Sequence, residues 1–177
     1  MHKRGTVSRA VTLIELLVVF AVIAVLALLL LQAFNSFVAR AERVHCTDNL
    51  RNLQIAAELY VQDKNQWPQI RLSGLDENAL TTYAQQWIAA LLPYKVPQKT
   101  WICPTIEKLL GNPDYMRSGN ERVDYIAMPF DNKPTTPHQW PRQPWFVEKF
   151  DVHGNGNLIL FTDGSISDLK TVAPTPK

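Results

Sequence analysis

The sequence predicts an α+β protein: a long N-terminal helix, membrane-spanning and then amphipathic, packed on a small antiparallel β-sheet. Two observations predict it. No Pro or Gly interrupts residues 11–65, which are continuously apolar at first and then apolar at steps of three and four. Beyond residue 120 the chain changes to short apolar runs bounded by turn residues, among them "HGNGN" at 153–157 and "DG" at 163–164.

The first element begins in "RAVTLIELLVVFAVIAVLALLLL", residues 9–31, where Glu15 is the single acid. Val11 to Phe34 is long enough to cross a bilayer, which takes about 20 residues. The net charge of +2 is unevenly placed: residues 1–10 carry Lys3, Arg4 and Arg9 and no acid, and the remainder holds 15 basic and 16 acidic side chains. The basicity therefore belongs to the N-terminus, and no nucleic-acid-binding face is predicted. A basic end before an apolar span stays cytoplasmic, with the rest of the chain outside. The expected organisation is a basic leader over 1–10, a transmembrane helix over 11–34 and an extracytoplasmic globular domain over 35–177. A removable secretory signal is the alternative, with "ARA" at 39–41 as its cut, but the apolar run exceeds the usual signal length. Neither a plain anchor nor a signal needs Glu15, and a carboxylate in a bilayer is costly.

Cys46, Leu50, Leu53, Ala57 and Tyr60 share one helical face, and Arg43, Asp48, Arg51, Asn52 and Glu58 occupy others. One helix of about 50 residues is expected; the alternative is two helices with a break near Asn35–Ser36. In "DKNQWP", Pro68 ends it. Residues 76–92 form a second helix with Asp76 as N-cap and Leu80, Tyr83, Trp87 and Leu91 on one face, stopped by Pro93. Five prolines over 129–144 mark an irregular loop. "VDYIAMPF", "PWFVEKFDV", "NLILFTDG" and "SISDLKTV" read as strands of an antiparallel meander, and "VAPTPK" as a loose tail.

The stretch "VTLIELLVVFAVIAVLALLL" resembles the N-terminus of type IV prepilins and type II secretion pseudopilins. The usual family form is Gly followed by Phe-Thr-Leu-Ile-Glu-Leu and an apolar run. The resemblance implies a pilin-like fold and cutting by a prepilin peptidase between Ala10 and Val11. It further implies N-methylation of Val11, and subunit assembly through Glu15, the fifth residue after the cut. Ala10 and Val11 stand where the family prefers Gly and Phe. A free ammonium left in a filament core needs a partner, and Glu15 of an adjacent subunit supplies one; such a buried pair sets register more than it adds stability. The partners implied are the peptidase, other pilin or pseudopilin subunits, the inner membrane and its assembly platform. The protein would then be a single-pass inner-membrane protein with its domain periplasmic or in an extracellular fibre. "CTDNLRNLQIAAELYVQDKNQWP" resembles a helix version common in pilin-like proteins, with a Cys near the membrane and a Tyr-x-x-Asp-x-Asn close. "HGNGNLILFTDG" resembles a C-terminal signature of many pilin-like proteins, His153 and then, after nine residues, Asp163-Gly164.

As a functional pair, His153 and Asp163 are disfavoured: a strand between them, rising about 3.3 Å per residue, separates them by roughly 20 Å or more. The simpler reading makes each a turn residue bonded to its local backbone. Core pseudopilins bind calcium in a C-terminal loop, which makes Asp151, Asp163 and Asp168 calcium candidates, although no calcium-loop spacing is present. Zinc through His45, Cys46, Cys103 and His153 has no CxxC-type pair behind it. An oxidising exterior permits a Cys46–Cys103 disulfide, and two buried thiols are the alternative. Trp140 and Trp145 in the Pro-rich loop are packing residues or a surface for a neighbouring subunit or a secreted substrate. No nucleophile elbow, phosphate loop or dinucleotide fingerprint is present, and no convergent polar cluster is expected, so the protein is expected not to be an enzyme. A structural subunit of a pilus or pseudopilus is the reading the sequence supports best; a singly anchored binding protein that never polymerises competes with it.

Overall fold

A computed structural model describes residues 12–111, 114, 117, 119–133, 135–140 and 142–173, and of residues 32, 33, 35 and 36 the backbone only. The chain divides into two compact units, Met1–Val38 and Ala39–Lys177. Helix α1 is continuous over Leu13–Lys64, so no break falls at Asn35–Ser36.

In the first unit, Leu13–Leu31 is a helix long and apolar enough to cross a membrane or to act as a signal sequence. Its large side chains are exposed on every face: Leu16, Phe20, Ile23 and Leu30 all stand more than half in the open. Such a surface is stable only under lipid or other apolar helices.

In the second unit the amphipathic end of α1 buries Cys46, Leu50, Leu53, Ala56, Ala57 and Val61. The helix stops at Lys64 because Asn65 turns left-handed at φ 51°. Pro68, expected as the terminator, comes three residues later. Helix α2 (Glu77–Leu91) follows, with Tyr83, Ala84, Trp87 and Leu91 buried. Asp76 holds the N-cap position, but its side chain makes no cap bond. Helix α3 (Pro104–Leu110) starts on Pro104, whose fixed φ suits a first helical position, and ends on left-handed Gly111 at φ 60°.

Strands β1 (Tyr125–Ala127), β2 (Pro144–Glu148), β3 (Leu158–Phe161) and β4 (Ile166–Asp168) form one antiparallel sheet in the order β1-β2-β3-β4. The second half of the run expected as the last strand is instead a helical turn, α4 (Leu169–Val172). Asp168 takes its N-cap position, and the Leu169 and Lys170 N–H groups bond back to the Asn157 and Asn155 carbonyls, drawing the chain off the sheet. The tail expected over 172–177 lies outside the described residues from 174 onward.

One core joins these elements. Trp67 packs on Phe130, Trp145 and Trp87 with ring centres 5.2, 5.5 and 5.6 Å away, and Phe146 meets Trp87 and Trp101 edge-on. Four of the five tryptophans are at most 1% exposed, and aromatic burial of this kind dominates a small core. Trp145 belongs to it on β2, which corrects its placement in the Pro-rich loop; Trp140 alone is open, at 63%.

Candidate functional site

Among the described residues, two places gather chemistry, one in each unit. The first is the start of α1. Thr12 and Glu15 form a reciprocal cap: the Glu15 carboxylate accepts the Thr12 N–H at 2.8 Å and the Thr12 hydroxyl at 2.9 Å, while the Glu15 N–H donates to Thr12 Oγ1 at 3.3 Å. This is the Thr-x-x-Glu capping box, which satisfies backbone N–H groups that a helix start leaves orphaned. The pattern is present in "TLIE" and gives Glu15 a role within its own chain. Ala10 and Val11, the expected cleavage and methylation residues, lie outside the described residues.

The second place is a junction in the globular unit. Cys46, on the buried face of α1, is disulfide-bonded to Cys103, which sits in extended backbone immediately before α3, with Cα atoms 5.3 Å apart. Cys103 is held by its own N–H, which donates to Asp124 Oδ2 at 2.9 Å. Burial pushes the Asp124 carboxyl up, opposed by the Arg122 guanidinium 2.9 Å away and by that N–H.

Against the disulfide lie Glu148, the last residue of β2, and His153, in the loop that follows. His153 Nε2 is 3.2 Å from Glu148 Oε1 and 3.8 Å from Cys103 Sγ. The second carboxylate oxygen of Glu148 accepts the Leu158 N–H at 3.4 Å. The side chains of Glu148 and His153 are 0% and 3% exposed, and both cysteines are fully buried. The sequence "DVHGNGN" builds this arrangement. Asp151 Oδ1 accepts the N–H groups of Gly154 at 3.2 Å and Gly156 at 3.1 Å. Both glycines have φ near +85°, a conformation L side chains rarely take, so the loop curls tightly enough to turn His153 inward. Asn157 closes it by donating to the Glu148 carbonyl at 2.8 Å.

These positions correct several expectations. His153 does sit in the turn, but its ring faces inward and meets Glu148 and Cys103. His45 is exposed, and Glu148 stands where the zinc reading put it, beside Cys46, Cys103 and His153. A convergent polar cluster does exist. The three calcium candidates have separate partners: Asp151 the glycine loop and Lys170, Asp163 Ser165, and Asp168 Arg43 at 2.8 Å. Asp163 does act locally, accepting the Ser165 N–H at 2.8 Å and hydroxyl at 2.6 Å. Gly164 is favoured by its φ of 81°, and the Gln54 side-chain amide lies 3.1 Å from where a Cβ would stand, so a larger residue would also have to push it aside.

Glu148 is the residue sequence reasoning passed over. Its signal was present: in "PWFVE" it lies two positions after Phe146, on the same strand face as a core aromatic.

No family model matches the sequence, and no curated protein or solved structure matches it either.

Proposed function

We propose that this protein is a prepilin-like subunit that assembles through its apolar N-terminal helix, in a type IV pilus or a type II secretion pseudopilus. The observation that carries the reading is the pairing of an all-round exposed apolar helix, Leu13–Leu31, with a carboxylate at its start. The helix meets lipid before assembly and other copies of itself after it. The α+β domain on the amphipathic end of α1 is the part that a fibre would display. In this reading a peptidase cuts at Ala10–Val11, Glu15 pairs with the new N-terminal ammonium of a neighbour, and mispaired registers leave a charge unpaired in an apolar core, which costs several kcal/mol. The domain would lie outside the inner membrane, where oxidising conditions suit the Cys46–Cys103 bond. In this reading the protein's role is structural rather than catalytic, and the junction fits it: both sulfurs are bonded to each other, and the Glu148 and His153 side chains are 0% and 3% exposed.

One observation favours the rival, a single-pass anchored protein that stays monomeric. Glu15 is already satisfied by Thr12, so the acid is explained without a neighbour. The two readings part at the N-terminus. Mass spectrometry of the protein from host membranes, or after co-expression with a prepilin peptidase, is expected to find a chain beginning at Val11 and carrying an N-methyl group. A chain beginning at Met1 or at Glu42 overturns the processed-subunit reading.

A further inference from the structure

The Cys46–Cys103 junction holds more than a disulfide needs. A structural disulfide requires only two sulfurs and an apolar surround. Here a carboxylate and an imidazole are buried against it, and one donor atom from each of Cys46, Cys103, Glu148 and His153 lies within 4.8 Å of the others. Burying a carboxylate is unfavourable unless it is paired, and the structure spends a glycine-built loop on bringing His153 to it.

We propose that this junction is a thiol-dependent zinc site: with the disulfide reduced, Cys46 Sγ, Cys103 Sγ, His153 Nε2 and Glu148 Oε1 bind one Zn²⁺. The donor set is two soft thiolates, an imidazole and a carboxylate, all zinc ligands, and four protein ligands make a closed, structural site. Tetrahedral zinc with bonds of about 2.0–2.3 Å places its ligand atoms about 3.3–3.8 Å apart. The distances from His153 Nε2 to Glu148 Oε1 and to Cys103 Sγ, 3.2 and 3.8 Å, are already close to those edges. The sulfurs, released from each other, separate to the same spacing, and the remaining donor pairs, all within 4.8 Å, adjust to it. The outer support is in place as well: the Leu158 N–H holds Glu148 Oε2, leaving Oε1 toward the site, and Asp124 fixes the Cys103 backbone. A cleft of about 250 Å³, lined by Arg40, Glu42, Arg43, Thr105, Val152 and His153, approaches the site from the His153 side.

The chemistry balances as follows. A dithiol reductant delivers two electrons and two protons; the Sγ–Sγ bond breaks, two thiols form, and the reductant closes to its own disulfide. Zinc then displaces the two thiol protons to solvent. Any hydrogen on His153 Nε2 also leaves, so that the ring binds as neutral imidazole with its proton on Nδ1. Both states tie the same four segments: α1, the start of α3, the end of β2 and the β2–β3 loop. The metal thus replaces the covalent tie when the bond is open. This inference does not depend on polymerisation.

The test uses the full chain in detergent micelles, reduced with a phosphine under anaerobic conditions and freed of metal. Zinc is titrated against a chromophoric chelator, and thiol alkylation is followed in parallel. The reduced chain is expected to take one zinc, at least about 100-fold tighter than the oxidised chain, and saturation should protect both thiols from alkylation. Cobalt in place of zinc should give thiolate charge-transfer absorption. Glu148→Gln, close to isosteric, should weaken binding at least tenfold, and His153→Ala at least as much, with circular dichroism reporting whether each variant folds. Equal zinc affinity of the reduced and oxidised chains, or thiols that stay alkylatable at saturating zinc, overturns the proposal. So does unaltered affinity in a folded Glu148→Gln variant.

Discussion

The two units solve opposite problems with similar residues. The globular unit takes its Leu, Ile, Val and aromatic side chains out of water by itself: Leu50, Leu53, Trp87 and Phe146 are at most 1% exposed. The apolar helix covers none of its own. Leu13 to Leu31 stands between 52% and 81% exposed at every large apolar side chain. The comparison teaches that apolar content alone says little; periodicity decides whether a helix finds its cover within the chain. Where apolar residues recur at three and four, the helix carries a fold on one face. Where they are continuous, the cover has to come from outside, as bilayer or as neighbouring helices.

Mutations that treat the two units alike should therefore have unlike consequences. The largest difference is expected from truncation: Trp87→Ala should destabilise the globular unit by about 3–5 kcal/mol in denaturant titration, because a cavity opens among Trp67, Trp101 and Phe146. Ile23→Ala, in the apolar helix, should leave that unfolding midpoint unmoved. A comparable loss from Ile23→Ala would mean that the domain depends on the apolar segment for its stability. Next comes the disulfide. It closes a loop of 57 residues, for which chain entropy gives about 4 kcal/mol, so Cys46→Ser with Cys103→Ser should lower stability by about 2–4 kcal/mol. A double variant as stable as the parent would assign the junction's stability to Glu148, His153 and packing.

A smaller effect should appear at high pH, again only in the globular unit. Burial pushes the Tyr83 phenol up to about 12, and its oxygen accepts the Ala127 N–H at 3.1 Å. The unfolded phenol ionises near 10 while the folded one stays neutral, so the folded state loses stability as pH rises from about 10 to about 12, by ~2–3 kcal/mol in all. Tyr125 is displaced upward as well, also by burial, and acts in the same direction. Tyr83→Phe should make stability fall less steeply over that range, as measured by denaturant midpoints at successive pH values. An unchanged slope would place the alkaline sensitivity elsewhere.

What the sequence made legible follows from the same contrast. The apolar helix was readable from its unbroken run of hydrocarbon side chains, and the buried face of α1 and the antiparallel meander because each imposes a period on side chains that packing then enforces. Local devices were harder. Pro68 drew attention as the helix terminator, yet left-handed Asn65 acts first. The last strand ran into α4 because Asp168 can serve equally as a strand residue paired with Arg43 and as an N-cap. The junction was the least readable. Its four residues come from positions 46, 103, 148 and 153, of which only the last two are near in sequence, and a strand glutamate ordinarily faces water. His153 and Asp163 had looked like one signature. In the fold they belong to two turns, one feeding the buried cluster and the other closing against Gln54.

Glu15 is where the account is most exposed, because its capping role and the assembly role proposed for it predict different things for one substitution. Glutamine serves a capping box as glutamate does, but it carries no charge for a neighbour's ammonium. The deciding measurement is the amount of subunit recovered in sheared fibres or in cross-linked oligomers from membranes of cells making the parent chain, Glu15→Gln or Glu15→Ala at matched levels. The assembly account predicts that Glu15→Gln, with its cap intact, loses assembled material as completely as Glu15→Ala. Assembly of Glu15→Gln at the parent level would contradict it and leave Glu15 as a helix cap.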